Sequence, residues 1–100
     1  MKTNIIEQNG KLTAYLEGSL DTAASGQTAL ELAPLKNCQG HDIDIDCSKL
    51  TYISSSGLRI LLTIRKNASA VGSSVTLIGV SDDIRDVLTT TGFHNLFTIK

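Results

Sequence analysis

Residues Asp42-Ile43-Asp44-Ile45-Asp46-Cys47, then Ser48-Lys49-Leu50-Thr51-Tyr52-Ile53, Ser54-Ser55-Ser56-Gly57 and Leu58-Arg59-Ile60-Leu61-Leu62-Thr63-Ile64-Arg65-Lys66, change hydropathy period part-way along. The opening residues alternate, with Ile43, Ile45 and Cys47 on one side and Asp42, Asp44 and Asp46 on the other. A period of two marks a strand with one buried face. From Leu58 to about Ala70 the apolar positions Leu58, Leu61, Leu62 and Ile64 fall at helical spacing, flanked by Arg59, Thr63, Arg65 and Lys66. Residues 48–53 read as a connector between the two. Strand, connector and helix in this order form the first half of a parallel crossover, so the stretch predicts an α/β fold.

The flanks agree. Ile5 to Gln8 reads as a short strand, Asn9-Gly10 as a two-residue hairpin turn, and Lys11 to Glu17 as a second, cleanly alternating strand that Gly18 ends. Asp21 or Thr22 can cap a helix from Ala23 towards Leu35, which Pro34 stops near Leu32 or Ala33. After Gly72, Ser74 to Ile78 is a β-branched, central-looking strand. Ser81-Asp82-Asp83 heads a helix over Ile84 to Thr90, with Gly92 as its C-cap and a short final strand at Phe97 to Ile99. The expected architecture is one domain over residues 1–100. It is a mixed sheet that opens with an antiparallel hairpin and continues through helical crossovers packed on the sheet.

Composition narrows the function. The 100 residues carry a formal net charge of −1 with Lys and Arg spread along the chain, so no basic patch predicts a nucleic-acid partner. No run of about 18 apolar residues predicts membrane insertion. Met1 to Glu7 has one Lys and too short an apolar core for a signal peptide, so the expected location is the cytoplasm. Cys38 and Cys47 lack the close spacing of a zinc or redox pair and read as a loop thiol and a small buried apolar residue. No metal or cofactor is expected.

Among chemistry-bearing residues, Asp42, Asp44 and Asp46 superficially resemble a metal cluster. Same-face neighbours on a strand are roughly 6.5 to 7 Å apart, too far to share one ion, and the pattern reads as a solvated face. Asp46 stands apart because its reading places it at the carboxyl end of the strand, where sites form in open α/β sheets. His41 and His94 lie in or beside loops without a spaced partner and read as surface residues. No nucleophile elbow, phosphate loop or catalytic constellation supports an enzyme. The serine cluster remains. One serine suffices to cap a helix, and three exceed that need. At a helix amino end the dipole and free N–H groups favour an anion, so the cluster is either an over-supplied cap or a site that tolerates a phosphoryl group.

Asp46 through Arg59 resembles the signature of STAS domains, in particular bacterial anti-sigma factor antagonists. Gly18-Ser19-Leu20-Asp21 is similar to the family's earlier G-x-L-D segment, and Gly72, Val75, Leu77, Gly79 and Val80 are similar to a later one. The resemblance implies a non-enzymatic binding module that engages an anti-sigma factor, itself a serine kinase. Phosphorylation by that kinase breaks the complex, and a phosphatase restores it. The implied phosphoacceptor is Ser55, with Ser54 as the alternative. The implied partner-binding residues are Asp21, Asp46, Ser54, Ser56, Gly57, Leu58, Arg59, Thr63 and Lys66. Ser54 stands where the family carries Asp, which removes a negative charge beside the acceptor. The alternative implied by the family is a non-phosphorylated adaptor subunit of a transporter or sensory complex.

Overall fold

Seven residues, Lys2–Gln8, form β1, and Asn9-Gly10 turns the chain with φ 55° and 77° into β2, Lys11–Leu20. These positive values at both turn positions match the twist of the flanking strands. A computed structural model describes residues 1–37 and 41–100, so the loop reading for Cys38 lies outside the described residues. The chain continues as α1 (Thr22–Glu31), a 3-10 turn (Ala33–Asn37), β3 (Asp42–Ile53), α2 (Ser55–Ala70), β4 (Val75–Ile78), α3 (Asp82–Thr91), a 3-10 turn (Phe93–Asn95) and β5 (Thr98–Ile99). As Pro34 predicts, α1 stops short of it, and the chain tightens into the 3-10 turn.

The sheet order is β1-β2-β3-β4-β5, with β1 antiparallel to β2 and every later pair parallel. Each parallel connection steps one place in the same direction. Right-handed crossovers therefore put α1, α2 and α3 on one face. Ala14, Leu16, Ile43, Ile45, Cys47 and Leu77 from that face join Leu58, Leu61, Ile64, Ile84 and Leu88 from the helices in a single buried cluster. The other face is polar and includes a 3.2 Å ion pair between Lys11 and Asp44.

Two expectations are corrected. Gly18 does not end β2, which runs on to Leu20, and residues 48–53 are not a connector but the second half of β3. Against β2, the register of β3 slips twice: Tyr15 pairs Asp46 but Glu17 pairs Lys49, and Gly18 pairs Leu50 but Ser19 pairs Tyr52. Each slip inserts one extra residue on β3, which is a bulge. The burial pattern changes accordingly, with Cys47, Leu50 and Ile53 buried at intervals of three. β4 pairs β3 only over Ile43 to Asp46, so the later half of β3 extends past β4 beside β2.

Candidate functional site

The extended ends of β2 and β3 meet at the register pair Leu20–Ile53, and the next residue of each strand caps a helix. Asp21 accepts a 2.8 Å hydrogen bond from the Ala24 amide through Oδ1, and its carbonyl accepts the Ser25 hydroxyl at 2.8 Å. Ser54 Oγ accepts from the Gly57 amide at 3.2 Å, while the Ser54 amide donates to the Leu20 carbonyl at 2.9 Å. Two helix amino ends therefore lie side by side. Gly57 makes this junction possible: a Cβ there would lie 2.7 Å from Leu20 Cγ and 2.9 Å from Ile53 Cγ1.

The three serines play different parts. Ser54 is only 8% exposed and its oxygen is occupied as the N-cap of α2. Asp, the residue the family pattern carries there, is an equally good N-cap, so the substitution keeps the cap and changes only the charge. Ser55, the first helical residue, is exposed, and Ser56 is half-buried. Ser55, Arg59, Thr63 and Lys66, all exposed, follow one another at intervals of four, four and three and so form one stripe. Thr63 Oγ1 donates to the Arg59 carbonyl at 2.9 Å. Arg59 and Lys66 have no ion-pair partner among the described residues, and α2 carries no acidic side chain.

A family model for the STAS domain matches residues 2–100. The chain belongs to the STAS domain family. It is 30% identical over 99 residues to a Bordetella bronchiseptica protein named "Putative anti-sigma factor antagonist BtrV", covering 99% of this chain and 85% of that one. An anti-sigma-factor antagonist (STAS) domain protein from Planctomyces limnophilus has the same fold, with a TM-score of 0.87, 17% identity, and coverage of 98% of this chain and 87% of that one. The Bacillus cell fate determinant SpoIIAA in its phosphorylated form superposes with a TM-score of 0.73 at 20% identity, covering 99% of this chain and 91% of that one.

Not every expected residue reaches the stripe of this STAS domain. Asp46 is not at the carboxyl end of its strand, because β3 continues through the two bulges to Ile53. The remaining seven residues of β3 and the Ser54 cap separate it from Ser55. Its Oδ1 instead accepts the Ser48 amide at 2.9 Å and the Ser48 hydroxyl at 2.6 Å, holding the first bulge. Gly57 and Leu58 are buried and belong to the packing under the site, not to its surface. Asp42 and Asp44 each have a partner: Asp42 accepts from the Ser74 amide at 3.1 Å, which lowers its pKa, and Asp44 pairs with Lys11. His41 and His94 are half-buried rather than free surface residues. His41 sits 3.9 Å from Glu7, and His94 Nδ1 lies 3.4 Å from the Leu88 carbonyl. Cys47 is buried as expected, and burial pushes its thiol up to about 12.

Sequence reasoning missed a shallow groove between α1 and α2, about 130 Å³, lined by Ala29, Leu32, Ile60, Thr63 and Ile64. It adjoins the Ser55 stripe through Thr63. Beyond it Leu30 is 71% exposed on α1. The signal was present: the buried positions of this part of the chain, Ser25, Thr28, Leu32 and Leu35, follow helical spacing and leave Leu30 off the inner face. Small hydroxyl residues occupying the inner face concealed it. No helix is long and apolar enough to cross a membrane among the described residues.

Proposed function

We propose that this STAS domain is an anti-sigma factor antagonist of the bacterial cytoplasm that binds a kinase-type anti-sigma factor and is switched off at Ser55. The observation that carries the reading is the division of labour between adjacent serines: Ser54 is buried and engaged as a cap, while Ser55 is exposed at the head of an acid-free helix. The binding surface is Ser55, Ser56, Arg59, Thr63 and Lys66, with the Asp21 turn beside it. Its two unpaired cations suit an acidic partner face. In the modification step the γ-phosphoryl group of ATP passes to Ser55 Oγ, ADP leaves, and the hydroxyl proton is released. About two negative charges then stand where a neutral hydroxyl met the partner, and the complex separates. A phosphatase reverses the step.

Incubation with the cognate kinase and ATP, followed by mass-spectrometric mapping, is expected to place one phosphoryl group on Ser55 and none on Ser54. S55A is expected to abolish modification while leaving the complex intact, and S55D to weaken the complex at least tenfold by calorimetry. A protein left unmodified in complex with an active kinase, or S55D binding like the parent, overturns the reading.

A further inference from the structure

A dianion on Ser55 would arrive beside a carboxylate that is already there. Asp21 heads α1, and the Ser54 amide is bonded to the carbonyl of Leu20, the residue just before it. Two charged groups of one sign so close together disfavour each other's ionisation unless a cation lies between or beside them. On the last stretch of β3, the exposed side chain of Tyr52 is a phenol and not a cation. In the first two turns of α2 the only charged side chain is Arg59. It stands four positions after Ser55, the spacing at which helix side chains meet, and it has no ion-pair partner among the described residues. A guanidinium grips phosphate oxygens through two parallel N–H donors, which a lysine cannot reproduce.

Building on the switch at Ser55, we propose that Arg59 is the intramolecular counter-charge of the phosphoserine: modification turns Arg59 back onto its own helix and removes it from the cationic stripe offered to the partner. One phosphoryl group thereby changes the surface twice. It adds negative charge at the head of the stripe, and it withdraws one of the two cations, leaving Lys66.

The first test needs no partner. Phosphoserine is incorporated at position 55 during translation, and its second ionisation is followed by 31P NMR with Arg59 in place and in R59Q. Arg59 is expected to lower the midpoint by about 0.2 to 0.4 of a pH unit, a difference that shrinks in high salt, with R59K in between. Equal midpoints in Arg59 and R59Q protein overturn the inference. A second test is a binding cycle against the cognate anti-sigma factor with S55E and R59Q. If Arg59 is withdrawn by the charge, S55E weakens binding by a smaller factor in the R59Q background than in the parent. An equal factor in both backgrounds overturns the inference and leaves the switch standing. No effect of S55E in the parent overturns the switch itself, whatever the NMR midpoints show.

Discussion

A methyl group on Gly57 would press on Leu20 and Ile53, the two residues whose pairing brings the caps together. In an open helix, alanine would be favoured over glycine by about 1 kcal/mol. Here the contact with branched side chains in a filled core outweighs that gain, since overpacking costs about 1–3 kcal/mol. Gly57→Ala is therefore expected to destabilise the fold by up to about 2 kcal/mol, read as a lower urea midpoint with unchanged slope. Ser54 makes a complementary prediction. Ser54→Ala leaves the Gly57 amide without its acceptor in a buried position and is expected to cost about 1 kcal/mol. Ser54→Asp keeps an acceptor and adds a negative charge at the positive end of the α2 dipole. It is expected to melt above Ser54→Ala, the dipole's gain being set against burial and the nearby Asp21 charge. If Ser54→Asp behaved like Ser54→Ala in thermal denaturation, the cap assignment would be wrong.

β3 shows what the sequence could and could not reveal. Its first half was legible because alternation of Ile and Asp has one simple cause, a pleat with one buried side. Its second half was not, because each bulge adds a residue to the two-residue repeat and turns the burial interval into three. The Asp46 carboxylate that looked like a site residue is the side chain that holds the first of those bulges. The Ser54–Gly57 helix entrance was legible from its residue types. Which serine caps α2 depended on where β3 ends, which composition does not encode. Asp46→Ala is accordingly expected to lower stability by about 1 kcal/mol through the loss of both Ser48 hydrogen bonds. It should leave the affinity for the proposed anti-sigma factor partner within twofold. A large loss of affinity in a variant whose melting is unchanged would return Asp46 to the binding surface.

Across the whole molecule, two ionisable groups on β3 tie stability to pH in opposite windows. The Ser74 amide, with the Ser74 hydroxyl adding to it, holds the Asp42 carboxyl below its ordinary value of 3.8. The folded state then prefers the ionised form, so this contribution is present above about pH 4 and is lost as pH falls through the folded value. It joins the beginnings of β3 and β4, and Asp42→Asn is expected to flatten the acid limb of a stability profile. At the other extreme, burial and then the charge of Asp46 raise the Cys47 thiol from 9.0 to about 12. Unfolded chains lose that proton near pH 9 while folded ones keep it, so the unfolded state binds fewer protons and stability must fall as pH rises from 9 towards 12. The slope from this one group is about 1.4 kcal/mol per pH unit. Removing the thiol also leaves a small void, which lowers stability at every pH, so the slope and not the height is diagnostic. Urea denaturation under reducing conditions from pH 7 to 11 is expected to give parallel curves for the parent and Cys47→Ala up to about pH 9. Above that the parent should decline more steeply. Identical slopes above pH 9 would mean that the thiol ionises as readily inside the fold as outside it, which burial under the sheet's covered face does not allow.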